Sequence, residues 1–202
     1  MKLSIIAFDD FTDIDVFLMW DLLNRVKVKD WQVQILGDAS HHTSVTGLRI
    51  PMHGHIEAAN HSDVVVFTSG QGARKKITDE KFLSTFKLNP EKQMIGSMCS
   101  GALILAALGL LEGKQATTYP TAKKALESYG VKVVEKPFVQ EGNIATAAGC
   151  LAAQYLAGWI IEQTIGTEMK ETVLRSVMPV GEGLSFDDAE SMNQVYTASP
   201  TS

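Results

Sequence analysis

The strongest constraint on the fold is a repeated alternation along the chain. Short apolar or β-branched runs at residues 3–7, 31–36, 63–67 and 94–98 are each followed by a turn signal and then by helical or mixed sequence. Such runs read as short strands, mostly buried. Parallel strands need a long crossover, and a helix supplies it. The alternation therefore predicts an α/β domain with a mostly parallel sheet covered on both faces. Ligands of such sheets sit outside the carboxyl ends of the strands. Three segments matter on that account: the one leading to Asp15, the one before Gly70, and the one ending at Cys99.

The remaining elements follow from local signals. Thr12 or Asp13 is placed to cap a helix whose apolar positions are Ile14, Phe17, Leu18, Leu22 and Val26. Residues 39–60 read as short hairpin strands, 79–88 as a polar helical stretch, and 102–111 as a helix apolar almost all round. Further on, the reading is a strand at 116–118 and a helix at 121–129 stopped by Gly130. A strand pair at 132–135 and 138–140 around Pro137, a strand at 143–146, and helices at 151–165 and 168–177 complete it. No repeat or linker divides the chain, so residues 1–183 are expected to form one domain, followed by a polar tail, 184–202.

Composition closes off several function classes. Eighteen Lys and Arg against 23 Asp and Glu leave a net charge of −5, with no basic patch, which argues against nucleic acid as a partner. No apolar run reaches the ~18 residues of a membrane span, and the first residues lack a signal-peptide layout. The two cysteines, Cys99 and Cys150, lack metal-ligand spacing, so reduced thiols in a cytoplasm are expected, with no metal or cofactor.

Cys99 carries the most chemical information. Gly96, Ser97, Ser100, Gly101 and Ala102 surround it, and small neighbours permit a sharp strand-to-helix turn that holds a side chain outward under strain. A cysteine at a helix start is expected to have a lowered pKa. A small buried hydrophobe in a β–α corner is the competing reading. The N–H groups of Ser100 and Gly70 could together form an anion hole beside the sulfur. Asp15, inside an apolar helical run, is either a solvent-facing acid or a partly buried carboxyl able to shuttle a proton. Tyr119 stands at another strand end, either lining a pocket or packing. Cys150 precedes a long apolar helix and reads as a packing residue. His53 and His55 alternate as on a strand and read as hairpin or surface residues rather than metal ligands.

At this point a family resemblance enters. The run Ile95-Gly96-Ser97-Met98-Cys99-Ser100-Gly101-Ala102, followed by Ala107-Leu108-Gly109-Leu110-Leu111-Glu112-Gly113-Lys114-Gln115-Ala116-Thr117-Thr118, resembles the ThiJ/PfpI superfamily, in particular its isonitrile hydratase-like branch. The likeness spans residues 2 to 180. It implies a flavodoxin-like three-layer α/β/α sandwich, usually a homodimer. It also implies Cys99 as nucleophile, Asp15 as its acid partner, and the Gly70 and Ser100 amides as anion donors. The implied reaction is hydration of a small electrophile, an isonitrile giving an N-substituted formamide. Departures are Ser69-Gly70 where many relatives have two glycines, and Ser100 where the hydratase branch tends to carry threonine. The positions where some relatives place a catalytic histidine hold Ser100 and Tyr119. That speaks against a histidine-dependent glyoxalase, deglycase or amidase, which remains the alternative enzyme class. A redox-responsive or chaperone-like binding protein is the alternative outside catalysis.

Overall fold

The computed structural model describes residues 1–196. Its central sheet contains β1 (Lys2–Ile6), β2 (Gln32–Gly37), β5 (Gly54–His55), β6 (Val64–Phe67), β7 (Met94–Met98), β10 (Phe138–Glu141) and β11 (Ile144–Ala147). Their order across the sheet is β10-β11-β7-β6-β1-β2-β5, with only β10 antiparallel to its neighbour. Two small pairs stand apart: the hairpin β3 (His41–Thr43) with β4 (Arg49–Pro51), and β8 (Gln115–Ala116) with β9 (Lys132–Val133).

Both faces of the sheet are apolar, as a doubly covered sheet requires. Leu3, Ile5, Val64 and Val66 point to one side, where they meet α1 (Asp13–Asn24), α6 (Ala153–Thr164) and α7 (Thr167–Arg175). Ile6, Val65 and Phe67 point to the other, against α3 (Glu80–Thr85), α4 (Ala102–Ala107) and α5 (Lys123–Glu127). The result is the sheet covered on both faces expected from the alternation, and the three-layer α/β/α sandwich that the resemblance implies, with α2 (Ala73–Lys76) beside the second layer.

Several local expectations are corrected. The helix read at 102–111 stops after Ala107, because Gly109 takes a left-handed turn at φ 73°. Residues 132–135 and 138–140 do not pair with each other: β9 pairs with β8, and β10 with β11. Thr12 is the N-cap of α1 but makes no capping bond through its side chain. The buried face of α1 is Asp15, Val16, Met19, Leu22 and Leu23, whereas Ile14 is exposed. Leu22 and Val26 are buried as the spacing predicts, and Phe17 and Leu18 pack half-buried against the same core, so the departure is confined to Ile14, whose inward place Asp15 takes. Within the segment expected as a polar tail, α8 (Ala189–Tyr196) buries Met192 and Val195, and a Ser185–Asp188 capping box precedes it. Residues 197–202 lie outside the described part.

Candidate functional site

The site forms where β1, β6 and β7 end. Cys99 leaves β7 in a left-handed conformation, φ 46°, and opens a 3-10 turn, Cys99–Gly101, that runs into α4. A non-glycine residue there carries strain on the order of 1–3 kcal/mol, which the surroundings must impose. Thr118 helps, its hydroxyl donating to the Cys99 carbonyl at 2.9 Å. Gly101 allows the turn to lie against β6: a Cβ there would stand 2.6 Å from the carbonyl oxygens of Phe67 and Thr68.

Gly70 is required for a similar reason. Its φ is 141°, and an added Cβ would fall 2.0 Å from the Asp10 carbonyl oxygen. That close approach lets Phe11 bridge to Gly70 and lets the Thr12 N–H donate to the Ser69 carbonyl at 2.8 Å. The start of α1 is thereby pinned beside the loop, and its first turn carries Asp15 inward. Asp15 is fully buried. One carboxyl oxygen, Oδ2, accepts a hydrogen bond from the Ser69 hydroxyl; the other, Oδ1, has no hydrogen-bond partner. Ligand atoms of Asp15, Cys99 and Cys150 all lie within 4.8 Å of one another. Among the described residues this is also the one group of three side chains with metal-ligand chemistry.

Cys99 is buried, and that burial pushes its thiol up strongly from the ordinary value. The Asp15 carboxylate and the Cys150 sulfur push the same way, against a hydrogen bond from the Gly149 backbone. The lowered pKa expected from a helix start is therefore corrected: desolvation and a neighbouring carboxylate outweigh it. Burial likewise raises Cys150, to about 11, with Asp15 adding to the shift. Burial favours the protonated form of both thiols, and Asp15 is the carboxyl beside them.

The two cysteines open onto a cavity of about 310 Å³ whose lining also includes Ser69, Gly70, Arg74, Ser100 and Tyr119; Asp15 lies buried outside that lining. Tyr119 is at its rim, 44% exposed. The Gly70 N–H is already engaged, donating to Ser100 Oγ at 3.2 Å, and the Ser100 hydroxyl donates back to the Gly70 carbonyl at 3.3 Å. That amide reaches a substrate only when the hydroxyl turns aside. None of the five histidines lines this cavity. His53 stacks on Trp20 and accepts from the Ile35 N–H at 3.1 Å, and His55 accepts from the Glu57 N–H at 3.3 Å.

Sequence reasoning missed two features. Cys150, read as packing, stands beside Cys99. Arg74, not singled out, contributes a half-buried guanidinium to the cavity wall; it donates to Thr121 Oγ1 at 2.9 Å and forms no ion pair among the described residues. Its signal was available: a cation in the helix that directly follows the Gly70–Gly72 loop.

A cysteine on a left-handed strand-to-helix elbow, with a buried carboxyl at its side and a mostly parallel sheet behind it, defines a thiol-centred α/β/α sandwich. The chain belongs to the DJ-1/PfpI family, whose profile matches residues 1–163. It is 27% identical over 175 residues to an isonitrile hydratase of Pseudomonas putida, covering 86% of this chain and 76% of that one. To the glutathione-independent glyoxalase DJ-1 of Schizosaccharomyces pombe it is 24% identical over 191 residues, 88% of this chain and 98% of the other. Among solved structures, a ThiJ/PfpI family protein from Pseudomonas syringae superposes with a TM-score of 0.80 at 20% identity, over 96% of this chain and 85% of that one. Schizosaccharomyces pombe DJ-1 superposes at 0.75 and 20% identity, over 89% and 100%.

Proposed function

We propose that this protein is a cysteine-dependent hydratase of a small electrophile, with an isonitrile as the substrate and an N-substituted formamide as the product. The observation that carries this reading is the company Cys99 keeps. Its neighbour, within 4.8 Å, is the buried carboxyl of Asp15, and no histidine lines the cavity wall. An isonitrile needs a nucleophile and a proton at the same carbon. Asp15 takes the Cys99 proton as the sulfur bonds to the terminal carbon, and returns it to that carbon, giving a thioimidate. Asp15 then assists water onto the same carbon. The C–S bond breaks, the thiol is re-formed, and the product tautomerises to the formamide. Gly70, Ser100 and Tyr119 are placed to orient the substrate. No metal or organic cofactor takes part in this scheme. The likeness to the P. putida isonitrile hydratase supports it, at 27% identity.

Two copies of the chain are expected to pair. Ile14, Val45 and Leu48 are exposed on neighbouring segments that the Asp13–Thr46 hydrogen bond ties together at 3.0 Å. Sedimentation of the full chain gives the dimer mass if this holds and the monomer mass if it does not.

The test is formamide formation from an aryl isonitrile by the wild type, Cys99→Ala and Asp15→Asn. Turnover lost in both variants sustains the reading. No turnover by the wild type, or full turnover by Cys99→Ala, overturns it. Cys99-dependent consumption of methylglyoxal would move the assignment to the glyoxalase class, represented by the S. pombe relative.

A further inference from the structure

Two thiols facing one cavity next to a carboxyl form an arrangement that the hydratase scheme does not use in full. Cys150 plays no part in that scheme, yet its sulfur lies within 4.8 Å of both the Cys99 sulfur and an Asp15 oxygen. Both cysteines contribute to the cavity wall, so a small oxidant that reaches one reaches the other. Gly149, with φ 87°, immediately precedes Cys150, and its N–H reaches toward the Cys99 sulfur. Cys150 opens a short 3-10 turn rather than sitting inside a long helix. A disulfide needs the sulfurs at ~2 Å, so closure draws them together from a separation of no more than 4.8 Å.

We infer that Cys99 and Cys150 are a redox pair, converted by hydroperoxides to an intramolecular disulfide that reversibly withdraws the Cys99 thiol. The chemistry balances with a hydroperoxide as the two-electron oxidant. One thiol, having lost its proton, attacks the terminal peroxide oxygen; the O–O bond breaks and an alcohol or water leaves, giving a sulfenic acid. The second sulfur attacks the sulfenic sulfur. The S–S bond forms, the S–O bond breaks, and the hydroxyl leaves as water with the proton of the attacking thiol. Asp15 Oδ1, which has no hydrogen-bond partner, is the base that carries this proton across. Overall, two thiols and one hydroperoxide give one disulfide, one alcohol and one water. The second thiol intercepts the sulfenic acid before another peroxide arrives, because its attack is intramolecular. Irreversible oxidation of Cys99 to the sulfinic acid is thereby avoided.

The inference rests on the thiol cluster and not on the isonitrile reading, and its test reads mass and thiol count rather than turnover. Full-length protein is treated with a several-fold excess of hydrogen peroxide, enough to carry a lone thiol to the sulfinic acid, then quenched with an alkylating agent and measured by intact mass and peptide mapping. The expected result is loss of two hydrogens, no alkylation at either cysteine, a crosslinked peptide joining residues 99 and 150, and full recovery of both thiols with dithiothreitol. In Cys150→Ser, Cys99 instead gains two oxygens, and thiol recovery with dithiothreitol falls from complete to near zero. Wild-type protein that gains two oxygens on Cys99 while Cys150 stays alkylatable overturns the inference, as does a disulfide joining two chains. Where formamide production is measurable, peroxide abolishes it and dithiothreitol restores it in the wild type alone. Absence of turnover before oxidation counts against the hydratase reading only.

Discussion

Beyond the ends of β1 and β2, Asp9, Asp38, His42 and Lys76 form a polar cluster in which each carboxylate lies against a histidine ring, and Asp38 also against a lysine. The His42 ring nitrogens lie 3.2 Å from Asp9 and 3.1 Å from Asp38, and Lys76 Nζ lies 2.6 Å from Asp38. At the ends of β6 and β7, Asp15 lies deeper still and has no ion pair among the described residues; it meets one hydroxyl and two thiols. The paired cluster shows what this fold does when polar groups serve stability: charges are matched and partly solvated. The unpaired cluster keeps a carboxyl oxygen unsatisfied and a cysteine in a left-handed turn, both of which cost stability. That asymmetry supports the proposal that the second cluster is the reactive one.

Removing Cys99 gives the largest expected effect. Cys99→Ala is expected to lower formamide production by ~10³-fold or more, with an unchanged or raised melting temperature. Turnover surviving at more than a tenth of wild type would break the comparison at its base. Asp15→Asn keeps the shape, and its expected loss of turnover is ~10²-fold. Because the amide oxygen can still accept from Ser69 while a buried carboxyl is removed, its melting temperature should match or exceed wild type; a large drop would place Asp15 among the structural groups.

Gly70→Ala bears on the frame that holds the reactive cluster. Its Cβ would collide with the Asp10 carbonyl, and the φ of 141° disfavours any side chain. Denaturant unfolding is expected to show a loss of about 3 kcal/mol. In the paired cluster, Asp38→Asn should cost about 1–2 kcal/mol in the same measurement, while turnover per folded molecule stays at wild-type level. A drop in turnover with stability retained would erase the distinction between the two clusters.

The smallest effect is a pH dependence of the paired cluster. Burial pushes His42 down, but the Asp38 and Asp9 carboxylates outweigh it and the net shift is upward. Its contribution is therefore full below the ordinary histidine value of ~6.5 and is lost as pH rises through the raised folded-state value. Asp38 is shifted the other way, chiefly by His42 and then Lys76, with burial opposing. Its contribution is present above the ordinary carboxylate value of ~4 and is lost as pH falls toward the depressed one. Melting temperature followed against pH should show the alkaline decline in the wild type and a flatter one in His42→Gln.

Much of this architecture was legible in the chain, and the reasons are local. The runs at 63–67 and 94–98 are buried strands because β-branched and apolar side chains cover both faces, a property of adjacent residues. The elbow at Cys99 was legible because only small residues permit it. Legibility failed where a residue's role depends on distant contacts. In α1 the carboxyl of Asp15 faces the core while Ile14 faces out, and residues 132–140 joined two different sheets instead of each other.

The sequence by itself determined the alternation of strand and helix, the parallel sheet, and the turn that presents Cys99. Only the tertiary structure decided that Asp15 faces inward, that Cys150 stands beside Cys99, and that Arg74 enters the same cavity. The physical reason is topological. Each crossover returns the chain to the same edge of the sheet, so strand ends far apart in sequence converge there. Their convergence depends on strand order and register, which local periodicity does not encode.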